Sequence, residues 1–168
     1  MTYVDGFVIP VPAENKEKFR AHAAAVGQLF KEFGAARLFE SWGDDLPEGK
    51  VTDFRGSVQA KEDETVAFAW AEYPSKEARE AAVEKMRTDP RMAQFADAPF
   101  DGSRMILGSF SSIVDRKRDG ETGYADGFIV PVPDGKKQAY LAMAERAAAI
   151  FEEYGALRVV EEWGDDVP

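Results

Sequence analysis

The chain contains one stretch of sequence twice, and this duplication limits the folds open to it. Residues 3–12 read YVDGFVIPVP and residues 124–133 read YADGFIVPVP. Positions 3–47 align with positions 124–168 without a gap, and about half of the aligned residues are identical, far above chance. The chain therefore encodes one structural unit and then begins to encode it again.

The repeated unit is predicted to be strand, helix, strand. Val4–Val11 is rich in β-branched residues and is closed by prolines, as expected of a strand. Apolar residues recur at helical spacing through Glu14–Phe33, which predicts an amphipathic helix, and Gly34 follows where a left-handed C-cap is favoured. Arg37–Trp42 completes the unit as a second strand.

The first copy continues beyond this unit. Thr65–Tyr73 alternates as a strand, Pro74 introduces a helix that runs to about Arg87, and Met105–Val114 gives a last strand. The order βαββαβ is the ferredoxin-like α+β arrangement, an antiparallel sheet with both helices on one face. We therefore predict a complete ferredoxin-like domain over residues 1–115, a charged linker over 116–123 and a partial second copy over 124–168.

The partial copy predicts self-association. With only strand, helix and strand, residues 124–168 would leave a sheet face and strand edges without partners. We expect a homo-oligomer, most simply a C2 dimer, in which these residues pack on another chain. The alternative is a truncated form of a longer two-copy protein, whose second copy rests on its own first domain as an intrachain pseudo-dimer.

Composition excludes several classes of function. The net charge of −10 argues against nucleic acids and anionic membrane surfaces as partners, because both attract clustered lysine and arginine. Cysteine is absent, which excludes disulfides and thiolate chemistry. The sequence contains none of the common nucleotide-binding, serine hydrolase or zinc protease motifs. We expect a cytoplasmic protein without a metal or cofactor, and no reaction follows from its motifs.

The motifs of the first copy resemble those of one bacterial family. The stretches YVDGFVIPVP, FKEFGAARLFESWGDD, GKVTDF, EYPSKEAR, KMRTDPRM and PFDGSRMI occur in order and together resemble the YbaA-like proteins, the domain of unknown function 1428 family. The resemblance covers nearly all of residues 2–115, and residues 124–168 resemble the family's opening third again. It implies ferredoxin-like domains that pair as dimeric α+β barrels, and it implies no settled reaction, cofactor or catalytic residue. The chain departs from the family at Ser109, where a second glycine is common, and in its second copy.

Alternation along two strands suggests a ligand site inside such a barrel. Glu40 and Trp42 share one face of the second strand, and Trp70 and Glu72 share one face of the third. If the helices leave this face open, pairing of two sheets would enclose tryptophans and carboxylates in an apolar cavity. Desolvation would raise the pKa of a carboxyl group there, which makes Glu40 and Glu72 weak candidates for a general base.

The residues predicted to contact a ligand are Tyr3, Phe7, Arg37, Trp42 and Trp70. The competing interpretation, which base rates favour, is that Glu40 pairs with Arg37 or Arg104 and that the tryptophans are only barrel core.

Asp5 needs an explanation because carboxylates are uncommon in central strands. It would either contact a ligand beside Glu40 or accept backbone N–H bonds near Gly6. The second interpretation is favoured, because the Asp-Gly pair is duplicated as a unit at Asp126.

Two further polar features are assigned to structure rather than chemistry. His22 flanks the apolar stripe of the first helix and is replaced by Met143 in the copy, which indicates packing. Asp44 and Asp45 lack the spacing of a calcium loop and are predicted to form a solvated turn.

Two functions of different classes remain open. The first is binding of a small apolar or aromatic molecule in the barrel interior, by analogy with other barrels of this architecture. The second is a non-catalytic oligomerisation or interaction module with a filled barrel core.

Overall fold

A computed structural model describes residues 2–168 of the chain. Within them lie five strands, β1 Tyr3–Pro12, β2 Arg37–Trp42, β3 Glu64–Tyr73, β4 Ile106–Lys117 and β5 Arg158–Asp166. The helices are α1 Lys16–Phe33, α2 Phe54–Ser57, α3 Lys76–Thr88 and α4 Lys137–Glu153. All the strands join one antiparallel sheet in the order β2-β3-β1-β4-β5, so the protein has an α+β fold.

Strand β1 lies at the centre of the sheet. It pairs with β3 along its whole length, and with β4 from Tyr3 to Val8. Beyond Val8 its only neighbour is β3, so the missing N–H groups of Pro10 and Pro12 withhold no bond from β4. The prolines thus occupy the part of a central strand that tolerates them.

Helices α1 and α3 cover one face of the sheet. Leu29 and Phe33 of α1 and Ala82 of α3 pack against Ala71 and Tyr73 of β3. A second cluster joins α1 to β1 and β3 through Phe19, Ile9, Val11 and Ala67. These apolar contacts fix which side of each strand faces the helices.

The opposite face of the sheet, called here the helix-free face, is only partly covered. Val58, in the loop that contains α2, packs on Val8 and Val66. Phe54 of α2 contacts Phe68, with ring centroids 5.6 Å apart. Gly127 of the second copy also lies close to the rings of Phe68 and Phe54, so the cover on this face comes partly from the loop and partly from the segment that precedes α4.

The second copy extends the sheet of the first domain. Strand β5 pairs with β4, and α4 packs on Val114 of β4 through Ala144 and Ala148. Strand β4 also runs through Arg116 and Lys117, which the sequence assigned to the linker. This arrangement within one chain corresponds to the pseudo-dimer alternative, while pairing with another chain stays a prediction.

The helix–strand packing of the two copies is the same in detail. In the first copy the rings of Phe19 and Trp42 are 5.9 Å apart, and the Lys16 amine lies 5.6 Å from the Trp42 ring. In the second copy Tyr140 and Trp163 are 6.1 Å apart, and the corresponding lysine, Lys137, lies 5.2 Å from the Trp163 ring. The duplication therefore preserves one packing unit.

The predicted strand Tyr124–Pro133 is wrong, because these residues have no regular secondary structure. Its counterpart β1 is a strand because β3 and β4 bond to both of its edges, and residues 124–168 contain no counterparts of those strands. Without a ladder the segment leaves large apolar side chains exposed, by 65% at Tyr124, 73% at Phe128, 62% at Ile129 and 56% at Val130.

Within residues 2–168, no helix combines the length and apolar character needed to cross a membrane.

Candidate functional site on the helix-free face

Trp42 faces the helices, so the prediction that Glu40 and Trp42 point toward a partner sheet is wrong. The Trp42 ring lies against Phe19 of α1. Leu38, which shares its side of β2, packs in the cluster of Leu29 and Phe33. Glu40 lies between them in the alternation and shares their face.

Strand register explains this error. Each alternation was assigned correctly within its strand, but the register pairs Arg37 with Glu72 and Phe39 with Trp70. Residues directly opposite one another share a face, so the odd-numbered residues of β2 accompany Trp70 and Glu72. The predicted site is therefore split, with Trp42 and Glu40 on the helical side and Trp70 and Glu72 on the helix-free face.

Tyr3 and Phe7 also lie on the helical side. Tyr3 is buried and donates its hydroxyl to Asp165 at 2.9 Å, while the Lys76 amine of α3 lies 5.8 Å from its ring. Phe7 packs against both core clusters beneath the helices. The structure thus does not bring these two residues together with Trp70.

Glu40 has no ion pair within the described part of the chain. The predicted partners are engaged elsewhere, Arg37 with Glu72 and Arg104 with Glu64. Desolvation by surrounding groups raises the pKa of Glu40 to about 7, although the residue is exposed at the surface. Water that reaches this exposed carboxylate offsets part of the desolvation.

Glu72 is the centre of a polar network on the helix-free face. It accepts bonds from the Trp70 indole at 2.9 Å, from Arg37 at 3.0 Å and from Arg158 of β5 at 2.8 Å. Burial alone would raise the pKa of Glu72, but the bonds from Arg158 and Trp70 outweigh it and hold the pKa below its usual value. A carboxylate that stays ionised in this way serves as an anchor for cations rather than as a proton acceptor.

Phe39 and Trp70 form the most closely stacked aromatic pair described on the helix-free face. Their rings stack with centroids 4.2 Å apart, and both residues remain partly exposed. The Arg37 guanidinium lies 5.4 Å from the Phe39 ring and 5.9 Å from the Trp70 ring. We call these three residues the aromatic platform. Phe39 was missed because only the register between β2 and β3 places it beside Trp70.

Glu162 of β5 is a second residue that the sequence did not reveal. Both of its carboxylate oxygens are buried without a hydrogen-bond partner among residues 2–168. Burial raises its pKa to about 8, although the Ser112 side chain is close enough to oppose the rise. Glu162 replaces Ser41 of the first copy, so comparison of the two copies was the only available signal.

The favoured prediction for Asp5, that it accepts backbone N–H bonds near Gly6, is wrong. Its two oxygens each accept a bond from Arg79 Nε at 3.0 Å, and Ser109 donates its hydroxyl to Oδ1. Asp5 is therefore a buried ion-pair residue beneath α3, and its oxygens are occupied by Arg79 and Ser109.

His22 packs as predicted, edge-on to Phe95 and Phe100 with ring centroids 5.5 and 5.6 Å apart. Burial lowers its pKa, which favours the neutral form. Asp44 and Asp45 are exposed, and Asp44 accepts a bond from Tyr124 at 3.1 Å. No group of three or more potential metal ligands occurs in the described part of the chain.

The sheet and platform define an α+β protein with a partly covered sheet face and a second copy docked at its edge. The chain belongs to the family described as "Protein of unknown function (DUF1428)", which matches residues 2–102 and again residues 123–168. The resemblance noted from its motifs is thereby confirmed.

Relatives of the chain include the "Uncharacterized protein YbaA" of Escherichia coli and of Shigella flexneri. Each is 59% identical over 116 residues, which cover 68% of this chain and 99% of the relative. Among solved structures, the "De novo designed protein Foldit4" aligns with a TM-score of 0.38 and 14% identity, over 66% of this chain and 98% of that one.

Proposed function

We propose that this protein binds a small aromatic molecule on the helix-free face, against the aromatic platform. The observation that carries the proposal is the stacked, partly exposed pair of Phe39 and Trp70 beneath the Arg37 guanidinium. Exposed aromatic faces with one fixed polar group are typical of small-molecule sites. Glu72 acts here as the anchor that holds Arg37, the Trp70 indole and Arg158 in place.

The architecture supports this location. We propose that residues 1–115 form a ferredoxin-like domain, since their strands follow the order β2-β3-β1-β4 with α1 and α3 on one face. Because β5 duplicates β2, the pairing of β4 with β5 represents the contact that β4 would make with β2 of another copy. The helix-free face then corresponds to the interior of an α+β barrel.

A fluorescence titration tests the proposal. Neutral two-ring aromatics such as quinones should quench Trp70 and raise the melting temperature of the protein. Trp70→Phe should abolish the quenching and weaken binding. Trp42→Phe is the matched control, because Trp42 lies under α1 and should leave binding unchanged. Loss of quenching in the control but not in Trp70→Phe would refute the site.

A second candidate function is self-association. The observation in its favour is the exposed segment Tyr124–Pro133, which repeats the sequence of a buried central strand but has no strand partner. Unpaired apolar strands of this kind add readily to sheet edges. In this case the platform would be an interface and would show no ligand response.

A further inference from the structure

Beside the aromatic platform lies a cavity of about 340 Å³ whose walls are rich in cations. The first copy contributes Arg37, the segment between the copies contributes Lys117 and Arg118, and the second copy contributes Leu157 and Arg158. Glu121 is the one carboxylate among the lining residues. This composition contrasts with the chain as a whole, whose net charge is −10.

Two of these cations are held rigidly by acidic neighbours. Arg158 bonds to both oxygens of Asp115 at 2.9 Å and reaches Glu72 at 2.8 and 3.2 Å. Arg37 bonds to Glu72 through Nη1. Their positions are therefore fixed before any ligand arrives, which lowers the entropy cost of binding.

The other two cations have no carboxylate partner within ion-pair distance in residues 2–168. The Arg118 guanidinium donates a hydrogen bond from Nη1 to the backbone oxygen of Glu152 at 2.9 Å. The backbone N–H of Arg118 donates to the backbone oxygen of Leu157 at 2.8 Å. Lys117 is exposed at the end of β4. Glu152 and Glu121 offset part of this charge, but four cations around one cavity favour a bound anion.

We infer that this cavity binds the anionic oxygen group of a small ligand, a carboxylate or a phosphate monoester, through Lys117, Arg118 and the Arg37 guanidinium. The inference rests on the proposed function, because Arg37 both lines the cavity and covers the rings of the platform. The ligand class is then an aromatic acid or aryl phosphate. Since Leu157 and Arg158 come from the second copy, the duplication completes the site within one chain.

The test is calorimetry on the full chain with four probes: naphthoate, naphthyl phosphate, neutral naphthamide and inorganic phosphate. The two anionic aromatics should bind about ten-fold or more tightly than naphthamide, as a charge-assisted bond predicts. The double variant Lys117→Gln/Arg118→Gln should remove that advantage and leave naphthamide unchanged. The exposed Lys50→Gln is the matched control and should keep the advantage.

The outcomes separate the two proposals. Equal affinity for naphthoate and naphthamide, or an advantage that survives in the double variant, overturns the anion site while the platform stands. Binding of inorganic phosphate that depends on Lys117 and Arg118, with no gain from a ring, supports the anion site and overturns the platform. Circular dichroism checks that each variant remains folded. The milder Arg118→Lys variant keeps a positive charge and should retain part of the affinity advantage of the anionic probes over naphthamide.

Discussion

Glu162 has both carboxylate oxygens buried without a hydrogen-bond partner among residues 2–168, and burial raises its pKa from the ordinary 4.5 to about 8. Glu72, Asp115 and Arg158 are the charged groups that face it. A raised pKa in the folded state means that the folded protein holds a proton that the unfolded chain releases. Glu162 therefore makes the folded state less stable as the pH rises from about 4.5 to about 8.

The first prediction follows from this sign. Urea unfolding of the natural protein should show stability falling between about pH 4.5 and about pH 8, and Glu162→Gln should flatten that fall because glutamine cannot ionise. The exposed Glu153→Gln is the control and should leave the profile unchanged. A variant whose profile matches that of the natural protein would show that Glu162 titrates normally.

The second prediction concerns the buried ion pair of Asp5 and Arg79. Asp5→Asn keeps the shape of the side chain but leaves the guanidinium without its counter-charge, so it should cost about 3 kcal/mol in free energy of unfolding. Asp126→Asn makes the same change in the duplicated motif, where the residue is exposed, and should cost almost nothing. Equal effects in a denaturant titration would contradict the assigned role of Asp5.

The turn after α1 and the turn after α4 give a prediction at the level of elements. Gly34 and Gly155 end these helices with φ of 128° and 103°, and a Cβ at either position would meet nothing within 4 Å. Replacement by alanine should therefore cost only backbone strain, about 1–2 kcal/mol each. Gly135 also has open space but no left-handed φ, so Gly135→Ala should be neutral in thermal unfolding. If all three variants melt alike, backbone conformation is not the cause.

The sequence predicted the features that depend on local interactions and missed those that depend on residues far apart in the chain. Helical spacing and the alternation within β3 are local, and α1, β2 and β3 lie where their patterns indicated. The register between β2 and β3 is not local, so the sequence could not show that Trp70 stacks on Phe39 rather than facing Trp42. Likewise, Tyr124–Pro133 repeats the sequence of a strand but lacks the neighbours that make β1 one.

At the scale of the whole molecule, the second copy occupies the free edge of the first. Strand β5 covers the outer edge of β4, and its Arg158 reaches across to Glu72 of β3. Asp165 adds bonds to Tyr3 and to Lys76 of α3, at 2.9 and 2.7 Å. These contacts tie residues 158–166 to four elements of the first domain, β1, β3, β4 and α3, so the two copies should unfold together.

The last prediction concerns the deletion of residues 119–168, which removes β5 and exposes the edge of β4. Since β5 duplicates β2, the freed edge can accept β2 of a second molecule, and two-fold symmetry would form that contact twice. Light scattering should therefore give a monomer for the intact chain and a dimer for the shortened one. The opposite pattern, an oligomeric intact chain and a monomeric shortened one, would show that residues 124–168 associate between chains and would favour the self-association function. A shortened chain that stays folded and monomeric would refute the idea that the second copy takes the place of a partner subunit.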